Sequence, residues 1–340
     1  MSSQTPQVSV LIPCRNEAKD IEHCLHSIYG FASPGRFEVI VIDGMSNDGT
    51  RGILSRLQKD HPDLIVLDNP LQTVPHGMNM GIQRAQGEYV VRADVRCIHP
   101  ESYLCDLIEL SKRTGADNVG GVLVPISGET YAQKSIALAY KSRIAMGGAL
   151  RDRGDFVGET DTVYGGCFKK SRLIEIGMYD EKMVRNQDDE LSFRLRERGG
   201  KIIQDGRIKI QYFPRSSFWH LFKQFMQYGY WKVAVIKKHP RQASLRHLLP
   251  AVLVLGLVGI GSLIPFTIFG LYGFVAFIGS YFSAVGLVSF KSAYQRSLKL
   301  LPGLIFAIAL IHVGFGIGFI IGSFSEPFRL KLRWFETLSR

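Results

Sequence analysis

Asp, Glu, Lys and Arg are all missing from residues 248–290, and from a second run, 300–325. A charge-free apolar stretch of about 18 residues or more is long enough to cross a bilayer, and a buried core helix seldom needs one. Spans are therefore predicted near 248–269, 272–290 and 301–323. Acids are scarce throughout this end of the chain, because residues 1–247 hold nearly all of the 30 Asp and Glu. There is no CxxC pair among Cys14, Cys24, Cys97, Cys105 and Cys167. The odd count and scattered spacing argue against a disulfide framework or a zinc site, and fit a reducing compartment. The opening MSSQTPQVSV lacks the basic and apolar segments of a signal peptide, so the polar part is expected in the cytosol. Internal repeats and low-complexity tracts are absent as well.

The chain has 340 residues and a formal charge of +11. That length fits roughly two domains. Much of the excess charge flanks the apolar runs: Lys232, Lys237, Lys238, Arg241 and Arg246, then Lys291, Arg296 and Lys299, then Arg329, Lys331 and Arg333. Beside membrane segments such clusters suit anionic lipid headgroups, so membrane lipids are expected partners and nucleic acid is not. The positive-inside rule leaves a conflict. The basic residues before 248 and at 291–299 suit a hairpin, whereas a single third span would put the basic tail outside.

The first half alternates strands and helices. Residues 8–13, 37–43, 64–67 and 89–93 are apolar, β-branched runs, with helical spacing at 17–31, 50–59, 75–85 and 100–113. Asn47 or Asp48 is expected to cap the second of these helices. Alternation of this kind predicts an α/β fold, a mostly parallel sheet wrapped by helices, and near-continuous apolar strands fit a sheet buried on both faces. Beyond residue 115 the pattern loosens, with strands expected at 119–125, 163–168 and 201–213 and a helix at 187–198. Residues 218–238 interleave aromatic and basic side chains, as in a helix lying at a membrane interface. The predicted divisions are 1–215, a ligand-binding α/β domain; 216–246, amphipathic interface helices; 247–325, the membrane region; and 326–340, a basic tail.

In an open parallel sheet, ligands bind beyond the carboxyl ends of the strands. Glu17, Asp43, Asp48 and Asp94 fall there, and Asp188, Asp189 and Glu190 open a later helix. Acids gathered on one edge call for a cationic or hydrogen-bonding ligand, such as a divalent ion with a diphosphate.

These residues carry a resemblance. The segments 8–17 (VSVLIPCRNE), 39–50 (VIVIDGMSNDGT), 79–90 (NMGIQRAQGEYV) and 187–195 (QDDELSFRL) occur in the order found in the inverting glycosyltransferases of family 2. The resemblance covers about residues 6–235 and is nearest to membrane-bound exopolysaccharide glucosyltransferases of the succinoglycan type. It implies the GT-A fold and a metal-dependent hexosyltransferase using a UDP-sugar, with glucose as the expected sugar. The acceptor it implies is a polyprenyl-diphosphate-linked saccharide at the cytoplasmic face of the inner membrane. Carried over by position, Pro13, Arg15 and Glu17 would border the nucleotide, Asp43 would accept a hydrogen bond from the uracil, and Asp48, Arg92 and Arg96 would lie along the donor. Asp94 would approach Mg2+ or Mn2+ and the diphosphate, and Asp188 would be the general base, with Asp189 as the second candidate. An inverting transferase needs one carboxylate to take the acceptor proton and a cation for the departing diphosphate.

Three departures stand out. The metal motif reads Asp94-Val95-Arg96, one acid where the family commonly has two, and Arg96 cannot bind a metal but could contact phosphate directly. Gln187 replaces the usual Glu of the late motif. Gln224, Gln227, Tyr228, Trp231 and Lys232 match only in part the acceptor and diphosphate motif of processive relatives, which weighs against a polymerising synthase. Gly166, in a Gly-Gly-Cys run, would let backbone approach a sugar. The rival readings are a polyprenyl-phosphate sugar synthase, a processive synthase and an inactive membrane scaffold of the same fold. A homo-oligomer is compatible with all of them.

Overall fold

The computed structural model describes residues 5–33, 35–147 and 156–325. The expected basic tail lies outside them. The chain forms two units, residues 1–124 with 150–212, and residues 125–149 with 213–340. The second unit thus takes in an internal segment that the sequence reading left with the first.

The first unit is built on a mixed nine-stranded sheet, ordered β3-β2-β1-β4-β8-β6-β9-β5, with β7 paired to β9. Strands β1 (Val8–Cys14), β2 (Phe37–Asp43), β3 (Ile65–Asp68) and β4 (Tyr89–Arg92) are parallel. In the other half, β5 (Cys97–Ile98), β6 (Asn118–Pro125), β7 (Val157–Glu159), β8 (Tyr164–Lys169) and β9 (Ile202–Tyr212) pair antiparallel. The pleat alternates side chains between two cores. Val8, Val10, Ile12, Val39, Val41 and Val91 face α1 (Ile21–Tyr29), α2 (Thr50–Asp60) and α4 (Tyr103–Thr114). Leu11, Ile40, Ile42 and Val90 face α3 (Val74–Arg84), α6 (Lys170–Glu175) and α7 (Gln187–Glu197). Burial on both faces is why the strands read as unbroken apolar runs.

The second unit holds α5 (Tyr131–Lys141), α8 (Phe218–Lys238), α9 (Leu245–Gly261), α10 (Ile268–Tyr294) and α11 (Leu301–Phe324). Among the described residues two helical stretches, Ile268–Tyr294 and Leu298–Phe324, are long and apolar enough to cross a membrane. α9, at 17 residues, is shorter than the span expected there. α8 packs lengthwise on α11, and glycines make the approach possible. A side chain at Gly314 or Gly322 would come within 2.9 Å of the Phe222 carbonyl oxygen or 2.7 Å of that of Tyr230, and one at Gly318 would collide with that of Met226. This small-residue seam lets two backbones touch, as in membrane helix pairs. Gln224, Gln227 and Trp231 are accordingly buried, and Gln224 donates to the Tyr228 hydroxyl (2.8 Å) and accepts from Tyr140 (3.2 Å). Tyr131 ties α5 to the base of α11: its hydroxyl donates to the Lys299 carbonyl (3.1 Å) and accepts from Gly303 N–H (2.9 Å). The His312 ring bonds the Tyr281 hydroxyl (2.9 Å) and the Ile144 carbonyl (3.0 Å), a polar contact within the helical unit.

Candidate active site

β1, β2 and β4 run parallel in register, so the loops after Cys14, Asp43 and Arg92 leave from one edge of the sheet. The first two loops interlock. Asn16 N–H donates to Ser46 Oγ (2.7 Å), Asn47 N–H to Asn16 Oδ1 (2.9 Å) and Glu17 N–H to Thr50 Oγ1 (2.9 Å). Asn16 and Met45 take left-handed backbone angles, φ 52 and 56, to make these turns. Asp43 is fully buried. Its carboxylate accepts from Ser46 N–H (3.0 Å) and Oγ (2.5 Å) and meets Arg51 at 3.3 Å. Asp48 accepts from Thr50 N–H (3.1 Å) and Ala18 N–H (3.2 Å). Gly49, rather than Asn47 or Asp48, occupies the cap position of α2. Both acids therefore build the loops that Pro13, Arg15 and Glu17 line. Arg15 covers Gly44, where a side chain would come within 3.3 Å of it.

The third loop carries an ion-pair network. Arg92 donates from Nε to Asp94 Oδ1 (3.0 Å) and from Nη1 to Asp188 Oδ1 (2.6 Å). Tyr164, at the start of β8, donates to Asp94 Oδ2 (2.5 Å). The Arg92 side chain is 10% exposed, against 25% for Asp94 and 45% for Asp188. Burial alone would raise the Asp94 carboxyl, but Arg92 and the Tyr164 hydroxyl outweigh it and hold the pKa below the ordinary value. At Asp188 burial dominates, reinforced by Asp94 and Asp189 and opposed by Arg92, and the pKa is raised. Two neighbouring carboxylates are thus driven apart, the pattern that separates a base from an ionised binding group.

Local structure fixes Asp188. Asn186 adopts φ 55 at the start of α7, and Gln187 and Asp189 are buried. Glu190 is fully buried and pairs with Arg194 (2.7 Å), whose Nη2 also donates to the Met178 carbonyl (2.6 Å). Asp188 is the acid of this run most open to solvent. Asn79 holds the same loop from the other side, donating to the Tyr179 carbonyl (2.9 Å) and accepting from its N–H (2.9 Å). Arg96 meets Glu17 at 3.4 Å. Gly166 has φ 72, and a side chain there would come within 2.7 Å of Asn118 Oδ1.

The structure brings Arg92, Asp94, Asp188, Glu17 and Arg96 together in the first unit. Gln224, Gln227, Tyr228, Trp231 and Lys232 belong to α8 of the second. Tyr164, Tyr179 and Arg194 escaped the sequence reading, though Arg194 carries a signal, an opposite charge four residues after Glu190.

Among the described residues no group of three or more His, Cys, Asp or Glu could hold a metal ion. A divalent ion still fits. Mg2+-like cations bind through one or two carboxylates plus substrate phosphates, and Asp94 is ionised and partly exposed, with oxygen lone pairs beyond those that Arg92 and Tyr164 use.

The profile described as Glycosyl transferase family 2 matches residues 9–170. The succinoglycan biosynthesis protein ExoA of Rhizobium meliloti (strain 1021) is 30% identical over 71% of this chain and 73% of its own length. A dolichyl N-acetyl-alpha-D-glucosaminyl phosphate glucuronosyltransferase of Methanococcus voltae is 26% identical, over 68% of this chain and 74% of its own. Among solved structures, the mannosyltransferase PcManGT of Pyrobaculum calidifontis, in complex with GDP-Man and Mn2+, superposes with TM-score 0.56 at 18% identity, covering 93% of this chain and 88% of that one. With motifs in order on a GT-A sheet, and an acid pair poised at its edge, the chain belongs to glycosyltransferase family 2 and is a glycosyltransferase.

Proposed function

We propose that the protein is an inverting enzyme that moves a single hexose, glucose on our reading, from a UDP-sugar to a polyprenyl-diphosphate-linked saccharide at the cytoplasmic face of the inner membrane. The observation that carries this is the Arg92 bridge between Asp94 and Asp188, two acids with opposite pKa shifts. The ExoA relative supports exopolysaccharide synthesis and the M. voltae relative a lipid-linked acceptor.

Asp188 takes the proton of the acceptor hydroxyl as that oxygen attacks the anomeric carbon. The bond to the diphosphate breaks on the opposite face, so the product forms with inversion and the nucleoside diphosphate leaves. A raised pKa makes Asp188 a stronger base than an ordinary carboxylate. Arg92 holds it in place. The loops built by Asp43 and Asp48 seat the base and ribose, and Arg15 and Arg96 face the phosphates. Mg2+ or Mn2+, when bound at Asp94, neutralises charge on the departing diphosphate. Gly166 borders the sugar.

A processive synthase is the second reading. It is favoured by a poly-beta-1,6-N-acetyl-D-glucosamine synthase of Staphylococcus epidermidis, 27% identical over 68% of this chain and 54% of its own length. One assay separates the two. Purified protein is incubated with UDP-glucose, UDP-galactose, UDP-GlcNAc or GDP-mannose, Mg2+ or Mn2+, and a membrane lipid extract. We expect one UDP-sugar to be consumed and one residue to be added to a lipid product. Long products would establish a synthase. No consumption would leave an inactive scaffold, and an Asp188→Asn variant as active as the parent would remove Asp188 as the base.

A further inference from the structure

The membrane helices of the second unit have unlike ends. At one end of the antiparallel α9–α10 pair lie Arg246 and Lys291, with Arg241, Arg296 and Lys299 in the linkers that adjoin them. At the other end, the turn 262–267 between α9 and α10 has no charged side chain. It exposes Leu263, Ile264 and Phe266, and Phe269 just beyond, the two phenylalanines at 81%. The turn satisfies its own backbone N–H donors. The N–H groups of Ser262, Leu263 and Ile264 donate to the carbonyls of Val258 (2.9 Å), Ile260 (3.1 Å) and Gly261 (3.2 Å). Those of Phe266 and Thr267 both donate to Leu263 (3.1 Å), and Pro265 has none to satisfy. Ser262 Oγ donates to the Gly259 carbonyl (2.7 Å), and Thr267 Oγ1 accepts from Gly270 N–H (2.8 Å). Hydrocarbon demands this, since nothing there can pair with an exposed N–H.

Length agrees. α9 and α10 are antiparallel, with Gly256 against the Phe277 ring and Gly270 against Leu263. From Arg246 to Ser262 the helix rises about 24 Å, short of the ~30 Å hydrocarbon core. α10 is longer, and part of the difference is that Lys291, fourteen residues from Phe277, overshoots Arg246, ten residues from Gly256, by about 6 Å at the charged end.

We propose that α9 and α10 form a hairpin that enters the bilayer and returns to the side it came from, with the tip 262–267 held in hydrocarbon. α11, 24 residues long, is then the crossing element. The bilayer interior is the tip's partner, and this stands or falls independently of the catalytic reading.

The test uses the full chain in sealed membrane vesicles of both orientations. L263C and F266C sit on exposed side chains with no hydrogen bonds to lose, Q295C reports the charged end, and the parent gives the background of the native cysteines. A membrane-impermeant maleimide is expected to label Q295C from one face only, and L263C and F266C from neither until detergent is added. F266W, an enlargement at an open position, keeps the test decisive if a cysteine variant fails to insert. Its added fluorescence is expected to be quenched by lipids brominated in mid-chain. Labelling of either tip variant from either face overturns the proposal. So does an unquenched F266W, which would mean that a second protein copy covers the tip.

Discussion

Replacing Arg92 with Gln removes one cation and strands two acids. The guanidinium is 10% exposed and lies 3.0 Å from Asp94 and 2.6 Å from Asp188. Removing one partner from a buried ion pair costs about 3–5 kcal/mol. Asp188 is nearly half exposed and Asp94 a quarter, so water takes up part of that loss. The expected destabilisation of the first unit is then about 2 kcal/mol, read as a lowered denaturant midpoint at unchanged slope. The catalytic consequence has a definite sign. Arg92 pulls the Asp188 pKa down against burial, so without it the pKa rises further. A base must be deprotonated, and activity falls as pH drops through its pKa, so the acid limb of kcat/KM is expected at higher pH in R92Q than in the parent. Lysine at this position restores charge but not the two-pronged geometry, and should recover stability better than rate. An acid limb in R92Q at the parent's pH, with stability also unchanged, would refute both the bridge and the role given to Asp188.

Asp188→Asn is expected to lower kcat at least about 100-fold, the usual contribution of a positioned base, while nucleotide affinity by calorimetry stays near the parent's. His99 is buried and its pKa is pushed down to about 4 by desolvation, so the fold holds it neutral. Its contribution, about 3 kcal/mol from the gap to the ordinary 6.5, is present above pH 6.5 and lost as pH falls from there towards 4. His99→Leu should flatten that acid limb of stability in denaturant titrations at several pH values. Gly318→Leu should separate α8 from α11, seen as loss of detergent-stable folded protein, whereas Gly279→Leu, with no atom near its substituent, should be neutral. Nucleotide binding is expected to tighten with Mn2+ and to lose that dependence in Asp94→Asn, measured by titration with UDP.

The parallel half of the sheet was legible because residues such as Val39, Ile40 and Val41 face two cores, and only an unbroken apolar run serves both. α5 was missed. Its capping box, Thr130 with Gln133, was present in the sequence, but the helix packs with Ile136 and Ala139 in a core whose members on other helices, from Leu221 onward, come some 80 or more residues later. α8 was visible as an aromatic helix. Its burial was not, because the glycines that admit it lie on α11. In the site, the acids at strand ends could be named from position alone. That Asp43 and Asp48 brace loops while Asp94 and Asp188 share an arginine depends on side-chain geometry, which no spacing encodes. The break between the first two predicted spans, expected between 269 and 272, is the SLIPFT turn 262–267.

The excursion of residues 125–149 out of the first unit has a consequence for synthesis and for truncation. The chain passes between its units three times, so no single cut separates them. On the ribosome α5 emerges before any helix it will pack on, and Ile136, Leu138 and Ala139 must wait, uncovered, until α8, α10 and α11 have followed. A chain ended at residue 212 would carry that greasy patch permanently. It should be retained by chaperones or aggregate, while the same cut with the excursion replaced by a short polar linker should yield a soluble catalytic core.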